Sequence, residues 1–347
     1  MPTGDTMVLK IFSCVLTLWM CLGVRSFAAN TGEMELTRAG ETSIQMHLQF
    51  LAKTQREDGS SGSHATASTA AAVLAWMCAG NLPGEGPYGK NVSKGIDYIL
   101  NSAQSSGFLF KGLGGSMYHH AMATLCLAEA WGQSLDKRMY DKLRRAVDLI
   151  VQIQNDKGGW HYKPNSHNGD DLSVVVMQLV ALRAAKDAGI AVPKEIIDRA
   201  IEYVTSCRTK KDAEGLSGFS YVPRGEKRFA MTAAGLMSLM VCGNYKAKDL
   251  KDGLDYLVKA HERKQDDGNH FLYGQYYAAQ AMYQAGGQGD KFHAYWQKWY
   301  PDISQTIIEK QTKTGINCGN YEIRDGLMPW TVLILGIPYR YLPIYQR

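Results

Sequence analysis

Apolar and polar positions along this chain fall into two alternating kinds of helical pattern. In the first kind apolar residues recur every three or four positions and leave one charged face, as at Val147, Ile150, Val151 and Ile153. That spacing puts the apolar residues on one stripe of a helix whose other side meets water. It predicts amphipathic helices over Ile44–Thr54, Val92–Ala103, Lys137–Gln154, Lys194–Cys207, Lys248–Arg263 and Ile303–Gln311. In the second kind the helix is apolar nearly all round, which predicts Ala65–Cys78, Met117–Trp131, Leu172–Ala185, Phe229–Val241, Tyr276–Ala285 and Pro329–Leu335. A helix without a polar face has to be surrounded by protein. Six wet-faced helices alternating with six dry ones therefore predict two concentric rings, the dry set inside. Small residues in the dry set (Ala70, Ala71 and Ala72; Ala233, Ala234 and Gly235) allow close approach at a crowded centre.

The alternation is a repeat. A Gln near the end of a wet helix precedes a glycine turn at Gln55, Gln104 and Gln154, with Cys207, Lys264 or Gln265, and Gln311 in the same place in the other units. These anchors stand roughly fifty residues apart, a period typical of stacked helical hairpins. The clearest copy is Gln154-Asn155-Asp156-Lys157-Gly158-Gly159-Trp160-His161-Tyr162, followed by Asn168-Gly169-Asp170-Asp171 and the dry run from Leu172. Gly80, Gly189 and Gly243 sit just past dry helices, where a left-handed cap forms, and Pro193 stands at the start of a wet one. No strand-like alternation is long enough to build a sheet, and no low-complexity linker divides the chain. The fold class expected is all-α, an (α/α)6 toroid in one domain over residues 30–347.

Lys10, the apolar run Ile11–Val24 and Ser26-Phe27-Ala28-Ala29 read as a secretory leader over residues 1–29, removed after Ala28 or Ala29. The run is shorter than the ~20 residues a membrane span needs. An exported protein, periplasmic or extracellular, without a transmembrane span is therefore expected. A hydrophobic content of 45 % over 347 residues suffices for a large core, and a net charge of +5, scattered over that length, gives no nucleic-acid-binding signature. Five cysteines follow the leader (Cys78, Cys126, Cys207, Cys242 and Cys318), none in a C-x-x-C pair. They read as free thiols, with one disulfide still open to an exported chain.

The Gln–Gly-Gly-Trp spacing, with an aromatic residue ending each glycine turn, resembles the repeats of the squalene–hopene cyclase and prenyltransferase β-subunit superfamily. The closing segment Ile337-Pro338-Tyr339-Arg340-Tyr341-Leu342-Pro343-Ile344 is similar to the tail of exported squalene-cyclase-like proteins of planctomycete-type bacteria. The resemblance covers roughly residues 40–347 and implies the toroid; fold alone does not fix chemistry. It implies a ligand site where wet helices turn into dry ones, lined by Tyr118, His119, His120, Trp160, Tyr162, Phe219, Tyr221, Arg228, Tyr273, Tyr276, Tyr277 and Trp330. Such aromatic walls steady a cation through their π faces or stack on sugar rings. The competing reading, favoured for Trp160, Phe219 and Tyr221, is that each aromatic plugs its own turn.

A cyclase of that superfamily protonates an alkene from an Asp-x-Asp-Asp cluster, in which apposed carboxyls in apolar surroundings raise one another's pKa. Here the first acid is Asn168, and Asp170 and Asp171 remain as catalytic candidates, Asp170 as the proton donor. Either aspartate also serves simply as a helix cap. The zinc pattern of the prenyltransferases is absent, since Asp171 is followed by Leu172 and Ser173, and the thioester motif Gly-Cys-Gly-Glu-Gln does not occur. His119-His120 do not make a metal site, because neighbours on a helix point about 100° apart. No metal and no cofactor are expected. The resulting expectation is a terpenoid-cyclase-like binding or scaffold module with degenerate chemistry, taking a small hydrophobic, glycan or peptide ligand. The alternatives are a cyclase acting through Asp170 and a polysaccharide-active enzyme.

Overall fold

The computed structural model describes residues 36–346, apart from 113, 135, 165–169, 244–246, 266–267 and 323–327. The expected leader, and Asn168 and Gly169 of the acidic segment, lie outside the described residues. Twelve α-helices form among the described residues: α1 Arg38–Thr54, α2 Ala65–Cys78, α3 Gly89–Asn101, α4 Met117–Ser134, α5 Lys137–Gln152, α6 Leu172–Asp187, α7 Lys194–Ser206, α8 Phe229–Val241, α9 Ala247–Glu262, α10 Phe271–Gly286, α11 Asp290–Glu309 and α12 Trp330–Leu335. No β-strand forms there; isolated bridges such as Ala103 with Leu109 and Gln311 with Tyr321 close the turns.

The even-numbered helices are the dry set, and they form the inner ring. Every residue of α8 is buried, as is every residue of α2 after Ala65. Around the circle α2 packs on α4, α4 on α6, α6 on α8, α8 on α10, α10 on α12, and α12 back on α2. The odd-numbered helices lie outside this ring, each against the inner helices that flank it, as α5 lies on α4 and α6. The toroid is therefore closed, with the dry helices at its hub.

Several helix boundaries differ from the sequence reading; the first outer helix, for one, starts at Arg38, six residues before Ile44. The last outer helix starts at Asp290, well before Ile303, because Phe292, Trp296, Trp299, Tyr300, Ile303 and Ile307 form one buried stripe. Pro301 sits inside it; its missing N–H removes one helical bond, and the stripe on both sides carries the helix across. The fifth dry helix starts at Phe271, a turn before Tyr276, since Leu272 and Tyr273 are buried as well.

The repeat Gln is a clasp. Gln154 donates through Nε2 to Gly158 O at 3.0 Å within its own turn and to Ile196 O at 2.9 Å in the next outer helix. Gln55 does the same toward Gly59 O and Asn91 O, both at 3.0 Å. Gln311 donates to Gly319 O at 3.2 Å and to Ser43 O at 2.8 Å, which ties the last unit to the first. The turn presses so close that a Cβ on Gly158 would lie 2.1 Å from Arg199 O, and φ is +82° there. The corresponding approaches are 2.1 Å for Gly59 to Lys94 O, 2.4 Å for Gly107 to Arg145 O and 2.1 Å for Gly319 to Met46 O. The fourth and fifth turns lack this clasp. Cys207 replaces the Gln, and a Cβ on Gly215 or Gly268 would meet nothing within 4 Å.

The chain ends across the opposite mouth of the ring, where residues 343–345 lie on α4 and α6 with Ile344 and Tyr345 buried. Glu129, buried inside α4, accepts from Ile344 N–H at 3.4 Å. Burial pushes its carboxyl up to about 8, against the downward pull of that bond. The five cysteines following the expected leader are free thiols; Cys78, Cys126 and Cys207 are buried. No helix among the described residues is long and apolar enough to cross a membrane.

Candidate functional site

All six inner helices begin at one face of the toroid, so their first turns and the loops that lead into them make a rim. Asp171 caps α6 there. Its Oδ1 accepts from Ser173 N–H at 2.8 Å and Ser173 Oγ–H at 2.5 Å. Its Oδ2 accepts from the Tyr162 hydroxyl at 3.0 Å. The carboxylate therefore caps the helix with one oxygen and faces the rim aromatics with the other.

Asp170 is held inside the third turn. Its Oδ1 accepts from the Asn155 side-chain amide and lies 3.4 Å from His161 Nδ1, with both side chains of the Asp170–His161 pair largely buried. A Cβ on Gly159 would come within 3.2 Å of the Asp170 carboxyl, so a larger residue there would push on the acid. Asn155 also accepts from Gly159 N–H at 3.1 Å, which fixes the turn around the acid.

An arc of tyrosines runs inward from this pair. Tyr162, 45 % exposed, stands with its ring 5.7 Å from that of Tyr118. Tyr118 stands 6.4 Å from Tyr273, whose hydroxyl donates to Ser173 O at 3.4 Å across the ring. Tyr273 in turn lies 4.9 Å from Tyr277 and 5.6 Å from Trp330, and Tyr276 stacks on Trp330 at 5.0 Å. Tyr277 donates to Met177 Sδ at 2.7 Å. Aromatic side chains from α10 and α12 thus pack against one another at the inner ring, next to Tyr118 and Tyr162. Burial holds the phenols of Tyr118, Tyr273 and Tyr277 well above their ordinary range, so they remain hydroxyl donors. Tyr162 is raised for the same first cause.

Three of the candidate residues are packing residues. Trp160 is fully buried, its indole N–H donating to Ile150 O at 2.7 Å. Phe219 is buried with its ring on Gly235, where a Cβ would come within 2.7 Å. His120 is fully buried: Nδ1 accepts from Leu109 N–H at 3.0 Å, so Nε2 carries the proton toward Ala146 O at 3.1 Å. Burial pushes its imidazole down to about 4. Tyr221 takes part through its backbone, its carbonyl accepting from Leu172 N–H at 2.8 Å beside Asp171.

His119 and Arg228 stay at the rim. His119 Nδ1 accepts from Ser116 N–H at 3.2 Å, and its ring lies 5.7 Å from His64 and 5.0 Å from Phe110. Burial, and then the neighbouring His64, hold it below the usual imidazole range. Arg228 is exposed before α8, 4.0 Å from Glu226, with α6 between it and the helix of His119. The residues that sequence reasoning missed are Asn155, His161 and Ser173, the polar groups that hold the two aspartates. Among the described residues no group of three or more His, Cys, Asp or Glu is placed to hold a metal ion.

No protein-family model and no curated protein matches the chain. Solved structures do. An inactive variant of an α-1,6-mannanase, GH76A of Salegentibacter sp., in complex with α-1,6-mannotriose, aligns with a TM-score of 0.63 at 10 % identity over 86 % of this chain and 98 % of that one. A D-mannose isomerase aligns at 0.62, with 13 % identity over 89 % and 99 % of the two chains. A cellobiose 2-epimerase from Bacillus thermoamylovorans aligns at 0.59, with 12 % identity over 87 % and 98 %. These likenesses establish the α/α toroid. They overturn the expectation of a terpenoid-cyclase-like module with lost chemistry, because the chains that match over their whole length are a mannanase, an isomerase and an epimerase. A type II terpene cyclase from Scytonema reaches a TM-score of only 0.33 over 65 % of this chain, which leaves the cyclase resemblance without structural weight.

Proposed function

We propose that the rim is a saccharide-processing site in which Asp170 and Asp171 act on a glycosidic bond of a sugar lying over Tyr162 and Tyr118. The observation that carries this reading is the Asp171 carboxylate facing the exposed Tyr162, with the carboxyl of the preceding Asp170 held largely buried in the turn beside His161. Glycoside hydrolysis needs two such groups, one to protonate the leaving oxygen and one to activate water or to attack the anomeric carbon. Asp171, addressed by three donors, is set to face the positive charge that develops on the sugar. Asp170, beside His161, is set to exchange the proton. A planar tyrosine ring offers its face to the apolar side of a pyranose while the hydroxyls stay wet.

The mannanase likeness supports this assignment, since its inactive variants carry asparagine or alanine in place of two consecutive aspartates. The isomerase and epimerase likenesses also concern sugars. Export, expected from residues 1–29, is proposed alongside and would bring the rim to glycans outside the cytoplasm.

Purified protein incubated with α-1,6-mannan, starch, cellobiose and mannose tests the reading by chromatography of the products. The expected result is release of shorter sugars from one of the polymers. Asp170→Asn and Asp171→Asn should each lower it at least 100-fold while the far-ultraviolet spectrum stays unchanged. Absence of cleavage of every polymer would remove the hydrolase reading, and interconversion of cellobiose or mannose without cleavage would replace it with sugar isomerisation.

A further inference from the structure

The face of the toroid away from the rim carries a carboxyl that the proposed chemistry does not use. Glu129 lies near the end of α4 and is 2 % exposed. The titratable groups that face it are Cys126 on α4 itself, Cys78 from α2, Tyr276 from α10, Asp187 from the end of α6 and Tyr345 from the segment after α12. All of them are neutral or acidic. The Arg183 guanidinium of α6 is turned to Asp187 at 2.7 Å and to the Val241 carbonyl. Ionised in place, Glu129 would be a buried charge without a counter-charge, so burial holds its proton on up to about 8.

Residues 342–346 cover this carboxyl. Leu342, Ile344 and Tyr345 are buried, and the regular structure there is one short helical turn, Pro343–Tyr345. The segment is tied to the ring on both sides of Ile344. Its N–H donates to Glu129 Oε2 at 3.4 Å, and its carbonyl accepts from Gln284 Nε2–H of α10 at 3.4 Å. Both bonds are long for N–H···O contacts. Arg340, just before the segment, has a left-handed backbone with φ of +56°, which residues with a side chain adopt rarely. Water reaches Glu129 in one of two ways: by parting inner helices that pack along their lengths, or by lifting this one turn. The second breaks far fewer contacts.

We infer that residues 342–346 are a proton-governed strap, closed over Glu129 while its carboxyl is neutral and lifting to admit water once it ionises, which uncovers the thiols of Cys126 and Cys78. With the strap lifted the carboxyl sits in water and titrates near its ordinary 4.5; closed, it holds the proton to about 8. The closed form therefore binds the extra proton, and opening rises from pH 4.5 to 8 and levels off above. This device stands apart from the chemistry of the rim, and neither measurement below involves a sugar.

Hydrogen exchange of residues 340–346, corrected for intrinsic rates, and alkylation of Cys126 by iodoacetamide test it. Opening of the strap in wild type should rise at least tenfold between pH 6 and pH 9. Glu129→Gln keeps the shape and an acceptor for Ile344 N–H but cannot ionise, so its strap opening should not change with pH. Over the same interval the ratio of wild-type to Glu129→Gln alkylation should grow at least tenfold, a ratio from which the thiol's own titration cancels. Gln284→Ala frees the other side of Ile344 and should raise opening at every pH with the wild-type slope. Opening that does not depend on pH in wild type, or that keeps the wild-type slope in Glu129→Gln, would overturn the strap. So would residues 340–346 protected as strongly as those of α8, since Glu129 would then meet water only when the whole ring unfolds.

Discussion

Replacing Gly158 and Gly215 by alanine, one at a time, separates the clasp from the turn that carries it. Both glycines have left-handed backbones, with φ of +82° and +76°, so both substitutions incur the same steric penalty of about 1–2 kcal/mol. Only Gly158 adds a collision, because its new Cβ would lie 2.1 Å from Arg199 O while the Cβ at Gly215 meets nothing within 4 Å. Backbone cannot yield as a flexible side chain does, so the third turn has to move off α7. That movement breaks the Gln154 bond to Ile196 O and strains the one to Gly158 O, a further loss of about 1 kcal/mol for each bond. Gly158→Ala should therefore cost about 2 kcal/mol more than Gly215→Ala, read from urea midpoints of the two variants at matched slopes. Equal losses in the two proteins would mean that the close approach contributes nothing and that the account of the repeat is wrong.

Two pH dependences follow from buried groups. His47 and His120 are both pushed down to about 4 by burial, so the folded chain binds fewer protons than the unfolded one between that value and 6.5. Their contribution is complete above pH 6.5 and is lost as pH falls toward 4, on the order of a few kcal/mol each; urea unfolding at pH 7 and pH 4.5 should show it, and His47→Gln should flatten the slope. Glu129 behaves in the opposite sense, since its carboxyl is raised from 4.5 to about 8 and the folded chain holds the extra proton. Its contribution is complete below pH 4.5 and fades as pH rises through 8, so thermal melting should weaken between pH 6 and pH 9 in wild type and stay level in Glu129→Gln; an unchanged pH dependence in that variant would contradict the burial argument.

The rings were legible because the dry helices have no face that water could accept. Nothing but an interior position satisfies the run from Val73 to Cys78, and the structure places all of it inside. The repeat was legible for a related reason: Gln and Gly recur as types in the first, third and sixth units because each makes a contact with backbone, which does not depend on the neighbouring side chains. The helix starting at Asp290 was hidden by Pro301, a residue that ordinarily ends a helix, and by a stripe of tryptophan and tyrosine that alternates less cleanly than leucine. How the fourth turn sits was hidden as well. The longer spacing from Gln154 through Cys207 to Lys264 was visible as a number, but whether extra residues pack or stand away depends on what the neighbouring helix offers.

The site residues show why spacing stops short of chemistry. Trp160 and Tyr162 stand two apart at the end of the same turn, and both qualify as rim aromatics by type. The carbonyl of Ile150 decides between them, because it gives the indole N–H a buried partner and leaves the phenol to face Asp171. Capping and chemistry at Asp171 were opposed readings of one residue, yet a carboxylate has two oxygens. Oδ1 closes the first turn of α6, and that fixed cap is what aims Oδ2 at the Tyr162 hydroxyl. The cap and the contact with Tyr162 are thus one arrangement, and the residue type and spacing alone could not show that a single side chain makes both.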